Sequence, residues 1–461
     1  MALRSPARLS VLGVVLAIGA MGAILLAEAG AGDRATVDEP FWITSSYLTW
    51  RLATQGAPLE RWDDAFVQHQ LGAWGNLNPP VAKYIVGGAV AWARTPADRM
   101  LYAWRWPYSY EENLAAGNLP PEHILTAGRM AIAILAVVCL GLLFWIARQL
   151  VASPWAALLA PALLFASQPF RWHGVRIYTD IPQLAFTLAG AGWVLVWLRR
   201  RRPWALPLGL MLLGLACGSK LSAGTAVVAT AVFLAWVPGS IRARIARAAM
   251  AVAIPFATFI AINPFLWSSP LERTLWMLRG WSASIAQQAL DPLHASARVT
   301  SLGRALRLLW SRVFWSPEHG LHAQGLEGAL PHLVVVIATV VAGAVLGRIL
   351  LGFASRRGLP LPISRGAKIV LLIAAFPLAW LVEGSTVLLL GLMVVGLVRL
   401  AIRLRGAGRF QGEAYFVWLL ASTVVATVIW LPFDWARYYL PVLGWTPILA
   451  TLGTDRDEPS P

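Results

Sequence analysis

The sequence predicts an all-α polytopic membrane protein, and three observations lead to that fold class. Hydrophobic residues make up 58% of the 461 positions, 13% are charged, and the mean hydropathy is +0.63. Apolar runs long enough to cross a bilayer recur along the chain. Basic residues fall in short clusters between those runs. Together these features exclude an ordinary soluble domain and predict a bundle of about twelve transmembrane helices with helical external loops.

The same observations set aside two other classes of protein. A formal charge of +16 is compatible with nucleic-acid binding, but short basic clusters between apolar runs orient membrane helices instead, so we expect no nucleic-acid partner. Cys139 and Cys217 are the two cysteines, and both lie in apolar segments. A disulfide framework or a thiolate metal site therefore has no support.

The first apolar stretch covers about residues 9–26 and follows Arg4 and Arg8. A secretory signal has a similar pattern, including the small residues that follow the stretch. We interpret it as an uncleaved first span, because it is long enough to cross a hydrocarbon core of ~30 Å. The candidate active residues also follow it closely.

Hydropathy predicts the remaining spans in chain order. They lie at about 126–147, 153–169, 181–198, 204–219, 221–238, 248–266, 331–351, 367–382, 385–401, 414–431 and 439–452. Several runs are shorter than the ~20 residues of a perpendicular span, so the count is open by one or two.

The basic clusters recur after every second crossing, which predicts that they face the cytoplasm. They are Arg148, Arg199 to Arg202, Arg242 to Arg247, Arg356 and Arg357, and Arg399 to Arg409. The other loops hold most of the acidic residues, among them Asp33, Asp38, Glu39, Glu60, Asp63, Asp64, Glu111, Glu112, Asp180, Asp291 and Asp434. We therefore expect a multi-pass protein of a prokaryotic cytoplasmic membrane whose active site faces the periplasm or the exterior.

Two external segments, about 30–125 and 267–330, are too long to lack secondary structure. In the second, Leu275, Trp276, Leu278 and Trp281 recur at helical spacing, as do Leu306, Leu309, Trp310 and Phe314 beside basic residues. Helices lying in the membrane interface and helices packed on the bundle both explain this pattern. The predicted division is a core of 1–270, a loop region of 271–330 and C-terminal spans in 331–461.

Asp38 and Glu39 stand about ten residues after the first span, in TVDEPFW. One carboxylate of such a pair can accept a proton from an attacking hydroxyl, while the other orients a substrate or holds a cation. A solvated polar loop explains the dipeptide nearly as well. The two residues are therefore candidate catalytic groups that need support from elsewhere in the chain.

Further charged residues occur at the predicted external ends of spans. Lys83 follows two prolines in NLNPPVAKY, at the depth of lipid phosphates, where a snorkelling lysine is the alternative. Arg176 and Asp180 are four residues apart in RWHGVRIYTD, which predicts one side of a helix and also allows a simple ion pair. Lys220 lies in GSKLS, and FDWARYYLP carries Asp434 and Arg437.

All of these charges are predicted on one face, whereas independent snorkelling residues would be spread over both. A polyprenyl-phosphate sugar suits such a site, because its tail needs an apolar groove and its phosphate needs lysine or arginine. A carboxylate base would activate the acceptor hydroxyl while cations assist departure of the phosphate. This chemistry predicts a single displacement with inversion.

The order DE, NPPVAKY, VRIYTD, GSKLS, NPFLW and RYYLP resembles the GT-C integral-membrane glycosyltransferases. Within that superfamily it is similar to dolichyl-phosphate-mannose protein mannosyltransferases and lipid A aminoarabinose transferases. The similarity covers roughly the first 270 residues. It implies a mannosyltransferase-like hexosyl or pentosyl transferase with a polyprenyl-phosphate-linked donor and a glycan, lipid or protein acceptor.

Carried over by residue, the resemblance implies that Asp38 is the general base and Glu39 its companion. It implies that Lys83 and Arg176 contact the donor phosphate and that Asp180 forms the second acidic motif. Lys220 and Arg437 match phosphate-binding positions more loosely. The chain departs from the family at Asn78, where relatives often carry histidine before the prolines, and it ends soon after the last apolar run, which leaves acceptor recognition to the long external segments.

Metal dependence differs among GT-C enzymes, and no cofactor is required by the sequence. A divalent cation is possible at Asp38, Glu39 and Asp180 through oxygen ligands. His319 and His322 form the one close histidine pair, without a further ligand that would indicate zinc.

A transporter or flippase of lipid-linked or small solutes is the alternative from another class. It would also show about twelve spans, but the charges here are predicted at one face and not at the midplane, and the chain has no detectable repeated halves. A scaffold that retains the fold without catalysis is a third alternative, and the presence of all the motifs disfavours it.

Overall fold

A computed structural model describes residues 6–56, 74–98, 100–295, 297–315 and 411–452 of the protein. Within these ranges the chain is helical, and extended pairing is confined to one isolated bridge between Arg298 and Phe433. The α-helices are α1 Pro6–Ala29, α2 Glu39–Thr54, α3 Trp74–Leu77, α4 Val81–Ala93, α5 Tyr110–Ala115, α6 Glu122–Leu150, α7 Pro154–Ala166, α8 Gln168–Gly174, α9 Asp180–Arg200, α10 Ala205–Ser219, α11 Gly224–Trp236, α12 Ile241–Ala261, α13 Pro270–Leu290, α14 Leu302–Trp310, α15 Gln411–Ile429 and α16 Leu440–Leu452. The predicted all-α class is confirmed.

Nine of the predicted spans coincide with helices, namely α1, α6, α7, α9, α10, α11, α12, α15 and α16. Four of the described helices are long and apolar enough to cross a bilayer on their own: 122–150, 180–200, 241–261 and 412–429. Shorter apolar stretches of helix, of 10–17 residues each, lie at 13–29, 81–93, 154–166, 205–219, 221–236 and 440–452. The predicted spans 331–351, 367–382 and 385–401 lie outside the described residues, so the total of twelve stays a prediction.

Helix ends follow local chemistry more than hydropathy. α12 begins at Ile241, before the predicted 248, because the Ser240 side chain accepts a hydrogen bond from the amide of Ala243 at 3.3 Å and arginine supports a helix well. α9 ends where Arg201 adopts a left-handed conformation with φ of 52°. Hydropathy finds the apolar part of a helix, whereas capping sets its first and last turns.

Contacts between distant segments show that the predicted basic loops meet at one end of the bundle. Arg199, at the end of α9, donates to the carbonyl of Gln149 at the end of α6 and lies 3.9 Å from Glu413 at the start of α15. The charged motifs meet at the opposite end, where α6 and α9 begin. Which end faces the cytoplasm stays a prediction.

The helix that follows Asp38 is held by a close approach at a glycine. α2 packs on α4, and a side chain at Gly87 would place its Cβ 2.7 Å from the Cβ of Trp50. Real Cβ atoms do not approach that closely, so glycine is required at this crossing. The crossing fixes α2 against α4, and thereby fixes the residue at the start of α2.

The second long external segment contains the helices expected in it, α13 and α14. Trp281 of α13 donates to the carbonyl of Leu77 at 2.9 Å, which attaches this segment to the first one. Leu275, Trp276 and Leu278 remain 42%, 40% and 43% exposed. The helices thus pack on the bundle along one side and leave apolar side chains uncovered on another, and contact of these side chains with lipid stays a prediction.

Candidate active site

Asp38 is the residue that precedes the first turn of α2, and its carboxylate is free of the capping bond usual at that position. The side chain is 40% exposed and lines a cavity of about 520 Å³. It forms an ion pair with Arg437, whose Nη1 lies 3.3 Å from Oδ2. A single long charge-assisted bond leaves most of the acceptor capacity of this carboxylate directed at the cavity.

Glu39, the next residue, has the opposite surroundings. It is fully buried and accepts two bonds from Arg129, at 2.8 Å from Nε and 2.7 Å from Nη2. The backbone amides of Thr36 and Ile177 also donate to it, at 2.8 Å and 3.1 Å. Glu39 therefore ties the loop before α2 to α6 and to the segment before α9, and its place in the structure is that of a positioning residue.

Arg129 is a site residue that sequence reasoning missed. It is 1% exposed within α6, and besides Glu39 it donates to the backbone carbonyls of Asp33 and Arg34, each at 3.0 Å. The signal was present, because an arginine inside the apolar run TAGRMAIAIL needs a buried partner. Arg129 holds the whole loop that carries Asp38.

The second acidic motif joins the site through Lys220. Asp180 is the first residue of α9, is 4% exposed, and lies 2.6 Å from the ammonium of Lys220, which directly follows α10. Burial lowers the pKa of Lys220 below its ordinary value, and the attraction of Asp180 opposes that effect without cancelling it. Lys220 is thus a partly buried cation on the wall of the cavity.

Arg437 completes the site from a short 3₁₀ turn before α16, Ala436–Tyr438. Its guanidinium lies over the ring of Trp435 at 4.3 Å and near that of Tyr438 at 5.8 Å, while Lys220 lies 5.5 Å from the same Tyr438 ring. Burial alone would lower the pKa of Arg437, but Asp38, Tyr438 and Asp180 together raise it. Arg437 is therefore a permanent cation on an aromatic support.

The cavity that these residues line is otherwise apolar and rich in tryptophan. Asp38, Asp180, Lys220 and Arg437 share its wall with Tyr178. Burial, reinforced by the charge of Asp38, raises the pKa of Tyr178 to about 12, so this phenol stays neutral. The lining includes the indoles of Trp42, Trp104, Trp106, Trp281, Trp430, Trp435 and Trp445. The arrangement offers a carboxylate, two cations and an apolar enclosure in one space.

Two predicted phosphate ligands, Lys83 and Arg176, are not among the described residues that line the cavity. Lys83 is 2% exposed at the start of α4, donates to the carbonyls of Gly75 and Asn78, and is absent from the cavity lining among the described residues, although Asn78 and Pro79 line it. Burial lowers the pKa of Lys83 to about 7. Its contact with a phosphate stays a prediction, and in this structure it holds the turn that carries Asn78.

The predicted helical spacing of Arg176 and Asp180 is wrong. α8 ends at Gly174 and α9 begins at Asp180, so the residues between them form a loop and the two side chains take different partners. Arg176 lies 2.8 Å from Asp33 and 4.5 Å from the ring of Trp172. The i,i+4 rule applies only within a helix, and the chain is not helical between Gly174 and Asp180.

Asp434, predicted at the same end, anchors the second external segment. It accepts two bonds from Arg312, at 2.9 Å from Nε and 2.6 Å from Nη2, and one from Tyr439 at 3.0 Å. Its backbone amide also donates to Ala297 at 2.8 Å. Asp434 therefore fixes the turn that presents Arg437.

The sequence left open a divalent cation at Asp38, Glu39 and Asp180 without requiring one. Across the described ranges no group of three or more histidine, cysteine, aspartate or glutamate side chains is placed to hold an ion. Within the predicted set, Glu39 is occupied by Arg129 and Asp180 by Lys220. His319 and His322 lie outside the described residues.

Comparison with known proteins connects this site to a family. Residues 77–265 match the family model described as dolichyl-phosphate-mannose-protein mannosyltransferase. The match contains Lys83, Arg176, Asp180 and Lys220, whereas Asp38, Glu39 and Arg437 lie outside it. A search of curated protein sequences returned no match for the chain.

Two solved structures show the extent of structural likeness. One is the S. cerevisiae protein O-mannosyltransferase Pmt1-Pmt2 complex bound to the sugar donor, with 16% identity over 54% of this chain and 33% of that chain, and a TM-score of 0.38. The other is the Archaeoglobus fulgidus oligosaccharyltransferase AglB in complex with an inhibitory peptide and a dolichol-phosphate, with 11% identity over 95% and 50%, and a TM-score of 0.47. The chain thus spans a third to a half of the length of these proteins.

At such scores the structural likeness carries no functional argument, and the family model supplies the assignment. The family-model match confirms the resemblance predicted from the motifs: residues 77–265 are similar to the dolichyl-phosphate-mannose-protein mannosyltransferases, over less than half of this chain.

Proposed function

We propose that this protein is an inverting glycosyltransferase that moves one sugar from a polyprenyl-phosphate carrier to an acceptor hydroxyl. The observation that carries the proposal is the placement of Asp38, Lys220 and Arg437 on the wall of one cavity. A base and two cations are what this reaction needs within reach of one another. The family match supports a lipid-linked donor of the dolichyl-phosphate-mannose kind.

In the proposed reaction the donor phosphate lies between Lys220 and Arg437, and the carrier chain lies along the apolar wall. Arg437 is presented by the stacked rings of Trp435 and Tyr438, whose planes are 10° apart. A phosphate that binds Arg437 competes with Asp38 for the same guanidinium. Donor binding therefore releases the Asp38 carboxylate from its 3.3 Å contact at the time when a base is needed.

The acceptor oxygen attacks the anomeric carbon from the face opposite the carrier. The bond from that carbon to the phosphate oxygen breaks, and its electron pair leaves with the phosphate, where the two cations stabilise the added charge. Asp38 takes the proton of the acceptor hydroxyl. One displacement inverts the anomeric configuration, and the side of the membrane on which it occurs is the one away from the basic loops.

The test is transfer by the purified protein from polyprenyl-phosphate mannose and related carrier-linked sugars, in wild type and in Asp38→Asn. We expect loss of activity by about a hundredfold or more, because a positioned base contributes about 10²–10⁴ in rate. Asp33→Asn is the matched control: it removes a carboxylate from the same loop that is 57% exposed and pairs with Arg176. Equal activity of Asp38→Asn and wild type would exclude Asp38 as the base.

The same preparation separates the enzyme from a transporter. In proteoliposomes an enzyme leaves a new glycosidic bond in the acceptor and releases polyprenyl phosphate. Carrier-independent movement of solute, with no covalent product and no dependence on Asp38, is the result that would replace this proposal.

A further inference from the structure

The end of the bundle opposite the cavity has a second concave feature with different chemistry. A groove of about 540 Å³ runs between α11 and α12, and its described lining is apolar apart from Arg244. α11 contributes small and branched side chains, and α12 contributes Ile241, Ile245 and Val252, which are 66%, 62% and 53% exposed. A groove lined in this way accepts a hydrocarbon chain.

The depth of the groove suits one leaflet of a bilayer. From Ile241 to Val252 the α12 axis rises by about 16 Å, at 1.5 Å per residue. That is about half of the ~30 Å hydrocarbon core. The groove begins at the basic end and therefore fits a chain that enters from the leaflet at that end.

Arg244 lines the groove, and two further guanidinium groups lie beside it without lining the groove. Arg247 lies three residues after Arg244 on α12, so the two are neighbours on the helix surface. Arg247 and Arg201 approach the same indole: their guanidinium carbons lie 6.0 Å and 4.9 Å from the ring of Trp197. Two like charges thus share one aromatic ring, with Arg244 close enough to Arg247 to act on its charge, and such a group of cations is costly unless an anion joins it.

The loop that joins α11 to α12 holds this cluster in place. Arg247 donates to the carbonyls of Val237 and Pro238, and its Nε is buried without a hydrogen-bond partner among the described residues. A buried donor of this kind has a free-energy cost that a ligand oxygen can remove. This unsatisfied donor is a second sign, independent of charge, that an acceptor group belongs here.

We propose that this groove is a binding site for a phospholipid with an anionic headgroup. The headgroup phosphate lies against Arg244 and Arg247, with Arg201 adding charge, and one acyl chain lies along the apolar groove. Basic pockets between transmembrane helices bind anionic lipids through this combination of charge and apolar surface. The site is separate from the catalytic cavity and does not depend on the proposed transfer reaction.

The experiment is native mass spectrometry of the purified full chain, titrated with dioleoylphosphatidylglycerol, with dioleoylphosphatidylcholine and with inorganic phosphate. The variants are the double substitution Arg244→Gln with Arg247→Gln, and Ala248→Phe, which fills the groove. Arg242→Gln is the matched control, because it removes the same charge from the same helix at a residue that neither lines the groove nor is among the charges that act on Arg247. Gel filtration and thermal unfolding check that each variant is folded, and single substitutions replace the double one if it is not.

We expect wild type and Arg242→Gln to prefer phosphatidylglycerol over phosphatidylcholine. The double substitution should weaken phosphatidylglycerol binding about tenfold or more, since each surface arginine contributes about 1 kcal/mol toward anionic lipid. Ala248→Phe should weaken both lipids. Four results would each overturn the proposal. Two concern affinity: equal binding of the two lipids, or an effect of Arg242→Gln as large as that of the double variant. The other two are displacement of the lipid by inorganic phosphate alone and cross-linking of the groove to another segment of the chain.

Discussion

Adjacent carboxylates in this protein have different surroundings, and the difference separates their roles. Asp38 faces the cavity with one long contact to Arg437, whereas Glu39 is enclosed by Arg129 and two backbone amides. Their positions at the start of one helix turn them in different directions. The dipeptide therefore combines a carboxylate that faces the cavity with the residue that positions it.

Replacement of Glu39 by glutamine should destabilise the fold. We expect a loss of about 3–5 kcal/mol, because the substitution leaves the buried Arg129 without a counter-charge. Thermal unfolding of purified protein measures it. Glu111→Gln is the control, since Glu111 pairs with Arg34 at 3.2 Å with both side chains mostly exposed, and such pairs contribute little. If both substitutions were equally mild, the Arg129 pair would not be holding the loop.

The lowered pKa of Lys220 predicts a dependence of donor binding on pH. A phosphate binds the protonated amine, so donor affinity is complete below that pKa and is lost as the pH rises through it. The KM for donor should therefore rise at a pH below the ordinary lysine value of 10.5. Lys220→Arg should remove this rise in KM at alkaline pH, because a guanidinium stays charged. If KM rose with pH in the same way in Lys220→Arg, the rise would come from the titration of another group.

Sequence reasoning located several residues of the site but not how they pair. Asp38, Asp180, Lys220 and Arg437 were selected from charge placement beside apolar runs, and the structure brings all of them to one cavity. Pairing was not accessible, because the Arg437 to Asp38 contact joins positions 399 apart. The importance of Arg129 could have been predicted, because it is a charged residue within an apolar helix. The prediction missed it because it considered charged residues in loops and at the ends of spans.

At the scale of elements, α2 and α4 form the support for Asp38, and their crossing makes a sharp prediction. Gly87→Ala should lower both thermal stability and transfer activity, since its Cβ would collide with the backbone and side chain of α2. Gly88→Ala is the matched control, because the nearest atom to its Cβ is a ring atom of Trp50 at 3.4 Å, an ordinary contact. Activity assays and unfolding curves of both variants test this prediction. If Gly87→Ala lowered neither thermal stability nor transfer activity, α2 could shift against α4 without loss of either.

The presence of the helices could be predicted from the sequence, but the residues at which they begin and end could be predicted less well. Long apolar runs identify α6 and α9, because a helix must be long and apolar to cross the hydrocarbon core of a bilayer. The break between α8 and α9 was not predicted, although Gly174 at the end of α8 and Thr179 directly before α9 are residue types that often mark helix boundaries. That segment is held open by tertiary contacts, above all the bond from the amide of Ile177 to Glu39.

At the scale of the molecule, the charge distribution predicts how the bundle is inserted. A cysteine at Glu111, exposed at the cavity end, should react with a membrane-impermeant maleimide in intact spheroplasts. A cysteine at Arg202, at the basic end, should react only after permeabilisation. The native Cys139 is buried and Cys217 is partly buried, which keeps the background low. The reverse labelling pattern would place the cavity in the cytoplasm.

The contact between Asp38 and Arg437 has a consequence for the order in which the protein becomes competent. Asp38 and Arg437 are 399 positions apart in the chain, so their pair forms only when the start of α2 and the turn before α16 have both taken their places in the bundle. Under the proposed function, a folding intermediate that lacks either placement would not hold the base and both cations together, so competence for transfer would appear only with the completed bundle.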